Sequence, residues 1–152
     1  MIKMIHDPSE KRRVARLILE ALPDWFGVQA SIERYVADSA LQPCFAAEED
    51  GRTVGVLLLK RTGADTAEIA VMGVLPEYHR GGIGRKLFEA ARAYAVEAGY
   101  SFLQVKTVRM GMYPDYDRTN RFYLAMGFKE FEVIPELWDA QNPCQIYVMY
   151  LN

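Results

Sequence analysis

From Thr66 to Ala98 the sequence reads TAEIAVMGVLPEYHRGGIGRKLFEAARAYAVEA. An alternating strand runs through a turn holding Gly81, Gly82 and Gly84 directly into a long helix. Glycine costs a helix about 1 kcal/mol relative to alanine, so helix stability does not explain this placement. The first four amides of a helix have no partner within it, and the macrodipole adds partial positive charge there. Bare backbone at such a start lets those amides close round an anion, and Arg80, Arg85 and Lys86 add charge at the same place. After the turn, Ile83, Leu87, Ala90, Ala91, Tyr94 and Ala98 recur at helical spacing, predicting a helix from about Gly82 to Ala98 that Gly99 ends.

The flanking sequence arranges itself around this unit. Ile2 to Ile5 is a weak first strand. Asp7 and Pro8 open a helix carrying Val14, Leu17, Ile18 and Leu22 on one face, stopped at Pro23. QASIERYVADSA reads as a second, shorter helix. Phe45–Glu49 and Thr53–Arg61 flank the Asp-Gly turn of EDGR and read as a hairpin. VGVLLL is apolar at nearly every step, as in a strand covered on both faces. In the next strand Ala67, Ile69 and Val71 should point one way, and Glu68, Ala70 and Met72 the other. Gly73 suggests a bulge or a close approach to the backbone. SFLQVKTV is a strand and RTNRFYLAMGF a short helix. FKEFEVI and QIYVMYL are the last two strands, with PELWDAQNPC as their connection. This order predicts an α+β or mixed α/β sheet with helices on both faces, in a single domain over residues 1–152.

Net charge is −2 with no basic block, which disfavours nucleic acid as a partner. No apolar run reaches membrane-spanning length, and MIKMIHDPSEKRR shows no signal-peptide core. Two cysteines, Cys44 and Cys144, form no disulfide framework and read as buried thiols in a reducing, cytoplasmic setting. His6 and His79 are the only histidines, and no metal-ligand spacing occurs, so no metal is expected.

Two phosphate-binding motifs fail. A P-loop needs Ser or Thr after Lys86, where Leu87 stands, and the dinucleotide fingerprint needs its third glycine at that same Leu87. The stretch VMGVLPEYHRGGIGRKLFEAARAYAVEAGYSFLQV instead closely resembles the acetyl-CoA-binding motif of the GNAT superfamily of N-acetyltransferases. His79 to Gly84 occupy its [QR]-x-x-G-x-[GA] positions, with His79 where Gln or Arg is usual. RTNRFYLAMGF resembles the family's Y-x-x-x-G-F helix through Tyr123, Gly127 and Phe128. Tyr116 stands where an Asn is frequent, and Asn120 is the nearby substitute. LPDWFG and LWDAQNPC are similar to features of a bacterial branch.

The resemblance implies a GNAT fold with a mostly antiparallel, splayed sheet of six to seven strands. It implies that the main chain of Arg80, Gly81, Gly82, Ile83, Gly84 and Arg85 holds the pyrophosphate of acetyl-CoA. Main-chain groups of Met72 and Val74 would hold the pantetheine arm, and Asn120 would make a further cofactor contact. Tyr123 would protonate or hydrogen-bond the leaving thiolate, the Val74 amide would stabilise the oxyanion, and Glu68 is a candidate general base acting through water. The reaction would be acetyl transfer to a primary amine of a small molecule, amino acid or peptide. A non-catalytic acyl-CoA-binding regulatory module of the same fold is the alternative, and homodimers are common among such proteins. Trp25, Phe26, Tyr113, Tyr116 and Trp138 are aromatic candidates for an acceptor pocket, with Asp115, Asp117 and Asp139 as carboxylates that can attract a cationic amine.

Overall fold

The computed structural model describes residues 1–152. After β1 (Ile2–Ile5), Asp7 accepts the Glu10 amide at 3.0 Å, and Pro8 takes the first position of α1 (Pro8–Glu20). A side-chain cap of this kind contributes about 1 kcal/mol. The second helix, α2 (Gln29–Ser39), has no side-chain cap. A hairpin follows, β2 (Cys44–Glu49) and β3 (Arg52–Arg61), whose turn residues Asp50 and Gly51 both take positive φ, 51° and 76°. Two positive φ angles match the twist a two-residue hairpin turn needs. Next come β4 (Thr66–Val74), a 3₁₀ turn at Pro76–Tyr78, α3 (Ile83–Glu97), β5 (Phe102–Val108), α4 (Pro114–Met126), β6 (Lys129–Asp139) and β7 (Asn142–Tyr150).

All seven strands form one sheet in the order β1-β2-β3-β4-β5-β7-β6. Every pair is antiparallel except β4–β5. The fold is thus the expected mixed α/β one. Helix α1 covers one face of β3 and β4 and α3 the other, while α4 lies against β5 and meets the start of α3. Val54 to Leu59 are buried without a break, because that strand is sandwiched between α1 and α3. Each large aliphatic side chain buried this way contributes about 1.5–3 kcal/mol.

Three expectations need correction. Of the two readings of Gly73, the close approach holds and the bulge does not. The irregularity lies between the Leu58–Val71 and Leu59–Ile69 pairs, so Ala70 is the extra residue. Residues directly opposite share a face, and Met72 faces Leu57 while Ile69 faces Leu59. Met72 therefore joins the face of Ile69, where simple alternation put it opposite. Gly73 serves close packing, since a Cβ there would lie 2.7 Å from Leu22 Cδ1 and 3.1 Å from Ile18 Cγ2. Finally, PELWDAQNPC is no irregular connection. Strand β6 continues to Asp139 and the chain reverses within two residues, Ala140 and Gln141. Pro135 is tolerated because β6 is the outermost strand, with no neighbour to miss its N–H.

Candidate active site

Parallel strands β4 and β5 pair over only four positions, from Thr66–Phe102 to Ile69–Val105. Beyond Ile69 they part, while β4 continues to Val74 and β5 to Val108. The Leu75 amide donates to the Val54 carbonyl on β3. Main-chain groups alternate in direction along a strand, so those of Val74 and Met72 point away from β3, into the gap. The Val74 carbonyl does so visibly, accepting a 2.7 Å hydrogen bond from His79 Nε2. That bond requires the His79 proton on Nε2, since a carbonyl only accepts.

At the end of the gap the chain turns into α3. Arg80 and Gly82 both take left-handed conformations, φ 70° and 78°. The first helical bond is Lys86 to the Gly82 carbonyl, and α3 has no side-chain cap. The amides of Arg80, Gly81, Gly82, Ile83, Gly84 and Arg85 consequently donate to no backbone or side-chain acceptor. Six successive free N–H groups at the positive end of a fifteen-residue helix form a pre-built anion site. Gly84 has a packing role as well, since a Cβ there would come within 3.1 Å of Phe122 Cε1 on α4.

Tyr123 lies on α4, buried among Phe122, Phe128 and Tyr147 at ring distances of 5.6, 5.6 and 6.2 Å. Burial pushes its phenol well above the ordinary tyrosine range. Its hydroxyl makes no hydrogen bond, yet no fully buried side-chain polar atom is left without a partner, so the hydroxyl reaches the surface. The result is a phenol that stays protonated and has its donor free.

Asn120 does not fit the cofactor contact expected of it. It is fully buried, donates to the Val108 and Tyr116 carbonyls at 2.8 and 2.7 Å, and accepts from Tyr147 Oη at 2.6 Å. These bonds lock α4 onto β5 and β7. Glu68 sits at the vertex, one residue before the last β4–β5 pair. The residue is 6% exposed, and its carboxylate is ion-paired with Lys106 Nζ at 2.5 Å and Lys60 Nζ at 3.8 Å. Neither lysine was suggested by the sequence, because both come from neighbouring strands.

A pocket of about 420 Å³ opens beside the gap, between the loop after α1 and the start of α4. Of the aromatic candidates, Trp25, Tyr113 and Tyr116 line it. Phe26 packs edge-on against Tyr35, and Trp138 lies outside on β6. Tyr116 Oη donates to the Trp25 carbonyl at 3.1 Å, so the residue in the usual Asn position braces the α1–α2 loop. Of the acidic candidates only Asp115 lines the pocket. Asp117 accepts the Gly111 amide, and Asp139 accepts from Gln141 and Asn142. Asp24, which the sequence did not single out, lines it too. Both cysteines are buried and unpaired. No cluster of three His, Cys, Asp or Glu side chains could hold a metal, and no helix is long and apolar enough to cross a membrane.

Comparison with known proteins agrees with this geometry. Residues 40–130 match the model of the acetyltransferase (GNAT) domain. An uncharacterized N-acetyltransferase of Chlorobaculum tepidum is 33% identical over 88 residues, covering 58% of this chain and 50% of that protein. The match thus spans about half the length of that relative. Among solved structures, a GNAT-family protein of Desulfovibrio desulfuricans superposes with a TM-score of 0.85 at 19% identity, covering 100% of this chain and 99% of that one. An aminoglycoside 6′-N-acetyltransferase complexed with coenzyme A superposes with a TM-score of 0.79 at 16% identity, covering 100% and 97%. At these identities the superpositions establish a shared fold.

Proposed function

The chain belongs to the GNAT acetyltransferase family, and on that premise we propose that it transfers the acetyl group of acetyl-CoA to a primary amine of a small molecule, amino acid or peptide. The observation that carries the proposal is the run of free amides from Arg80 to Arg85 at the mouth of the β4–β5 gap. These amides would hold the cofactor pyrophosphate, with Arg80 and Arg85 adding charge. The main-chain groups of Met72 and Val74 would accept the pantetheine arm, leading the thioester to the vertex.

The reaction needs one bond made and one broken. The amine lone pair attacks the thioester carbonyl, forming C–N, and collapse of the tetrahedral intermediate breaks C–S. The Val74 amide would stabilise the oxyanion. Tyr123 then donates a hydrogen bond to the departing thiolate. Burial holds its phenol far above the thiol value of about 8.5, so stabilisation in place suits the thiolate better than outright proton transfer. The ammonium proton leaves the amine through water towards Glu68, whose carboxylate Lys106 holds at the vertex. His79 presents the imidazole that CoA must move aside, since it sits on the Val74 carbonyl.

Calorimetry with CoA, followed by thiol release with acetyl-CoA and an amine panel, tests the reading. Binding in the micromolar range and amine-dependent release are expected. No heat at millimolar CoA would overturn it, and tight binding with no turnover on any amine would favour the non-catalytic acyl-CoA-binding module.

A further inference from the structure

The pocket beside the gap has a one-sided chemistry. Its only charged lining residues are Asp24 and Asp115, and no lysine or arginine reaches it. Asp115 already pairs with Arg118, whereas the Asp24 carboxylate has no hydrogen-bond or ion-pair partner. Three aromatic residues, Trp25, Tyr113 and Tyr116, supply the walls, with the two tyrosines edge to face at 6.2 Å. The pocket is joined to the gap through one residue. Trp25 lines it and also meets His79 edge-on at 6.1 Å, and His79 holds the Val74 carbonyl.

We infer that this pocket selects a small acceptor bearing a second cationic group, a diamine in its simplest form. The inference rests on the acetyl-transfer reading for the reacting amine, which must enter the gap uncharged. The second amine remains an ammonium in the pocket, facing the free Asp24 carboxylate and the aromatic faces that attract a cation. Its hydrocarbon body lies against the rings of Trp25 and Tyr113. An acceptor ending in a carboxylate meets Asp24 as a like charge and is rejected. The volume suits a compact molecule and leaves little room for a folded partner.

The test uses diaminopentane, aminopentane and aminopentanoate, identical chains ending in an ammonium, a methyl and a carboxylate. Rates are measured with acetyl-CoA. Binding is read separately from Trp25 emission in the Trp138→Phe protein with CoA present, where Trp25 is the only indole. Diaminopentane should lead aminopentane in kcat/KM and in affinity by about fivefold, the scale of a partly exposed charge pair. Asp24→Asn should abolish that preference with an unchanged thermal midpoint, and aminopentanoate should be the poorest of the three. Saturable Trp25 quenching by diaminopentane without turnover would uphold the pocket and defeat acetyl transfer. Equal rates for all three chains, a preference for the carboxylate, or Trp25 emission indifferent to millimolar diaminopentane would overturn the inference, whatever the activity.

Discussion

Gly81 and Gly82 are neighbours in the same turn, and a methyl group on each should act in opposite ways. Gly82 has φ 78°, a conformation that costs an L-residue about 1–2 kcal/mol. At Gly81 a Cβ would meet only the Tyr78 carbonyl, at an ordinary 3.5 Å, and φ is not left-handed. There the methyl group chiefly restricts the unfolded chain and stabilises by about 0.4–1 kcal/mol. For a domain of this size each kcal/mol moves the thermal midpoint by about 2–4 °C. Gly82→Ala should therefore lower the midpoint by about 2–8 °C, and Gly81→Ala should raise it by about 1–4 °C. CoA affinity adds a second axis. If the Gly82→Ala chain relieves its strain by leaving the left-handed region, the amides of that position and of Ile83 turn from the anion. Losing one charge-assisted hydrogen bond of about 1.5–3 kcal/mol weakens binding about 10- to 100-fold. Scanning calorimetry and titration calorimetry on the two variants give both numbers. A Gly82→Ala protein as stable as the parent, or a Gly81→Ala protein less stable than it, would refute the account of this turn.

Four further outcomes follow from the same geometry. Tyr123→Phe should lower kcat by about 10- to 100-fold while CoA affinity stays within about twofold, read by steady-state kinetics beside titration. Glu68→Gln should lower kcat/KM by about 100-fold or more with CoA affinity unchanged if the carboxylate takes the amine's proton; a lower thermal midpoint with the kinetics intact would make it a partner of Lys106 and Lys60 alone. Tyr147→Phe strips the Asn120 carbonyl oxygen of its buried donor and should cost about 1–3 kcal/mol in urea unfolding. Burial pushes the Cys44 thiol up to about 11; because the folded value is the higher one, its stabilisation is complete below the ordinary thiol value of about 8.5 and is lost as pH rises through the folded value, so alkaline unfolding curves should steepen there and flatten in Cys44→Ala.

The residues that announce the fold do so through local rules. Asp7 with Pro8, the Asp50-Gly51 turn and the spacing from Ile83 to Ala98 each depend on neighbours within a few positions. The free amides at Arg80–Arg85 were legible for the same reason, since a helix start without a cap is a property of adjacent residues. What escaped is set across strands. The extra residue at Ala70, which turns Met72 towards α3, follows from pairing with Leu58 and Leu59, and nothing in AEIAVMG marks it. Glu68 reads as a free strand carboxylate until β3 and β5 bring Lys60 and Lys106 to it. Asn120 looks available on its helix, but Tyr147, 27 residues away, claims its oxygen. The polar, proline-bearing stretch after Ile134 resembles a loop because an outermost strand has little apolar surface to cover.

The four-rung seam between β4 and β5 makes this molecule two shorter sheets leaning together, stitched at one end only. A pantetheine arm lying along Met72 and Val74 would continue the ladder where β5 abandons it. The bound cosubstrate would then be a surrogate strand, a non-peptide member of the sheet that departs with every turnover. Amide exchange along Val71–Val74 should therefore slow when the site is filled and quicken when it empties, so the integrity of the architecture keeps time with the chemistry.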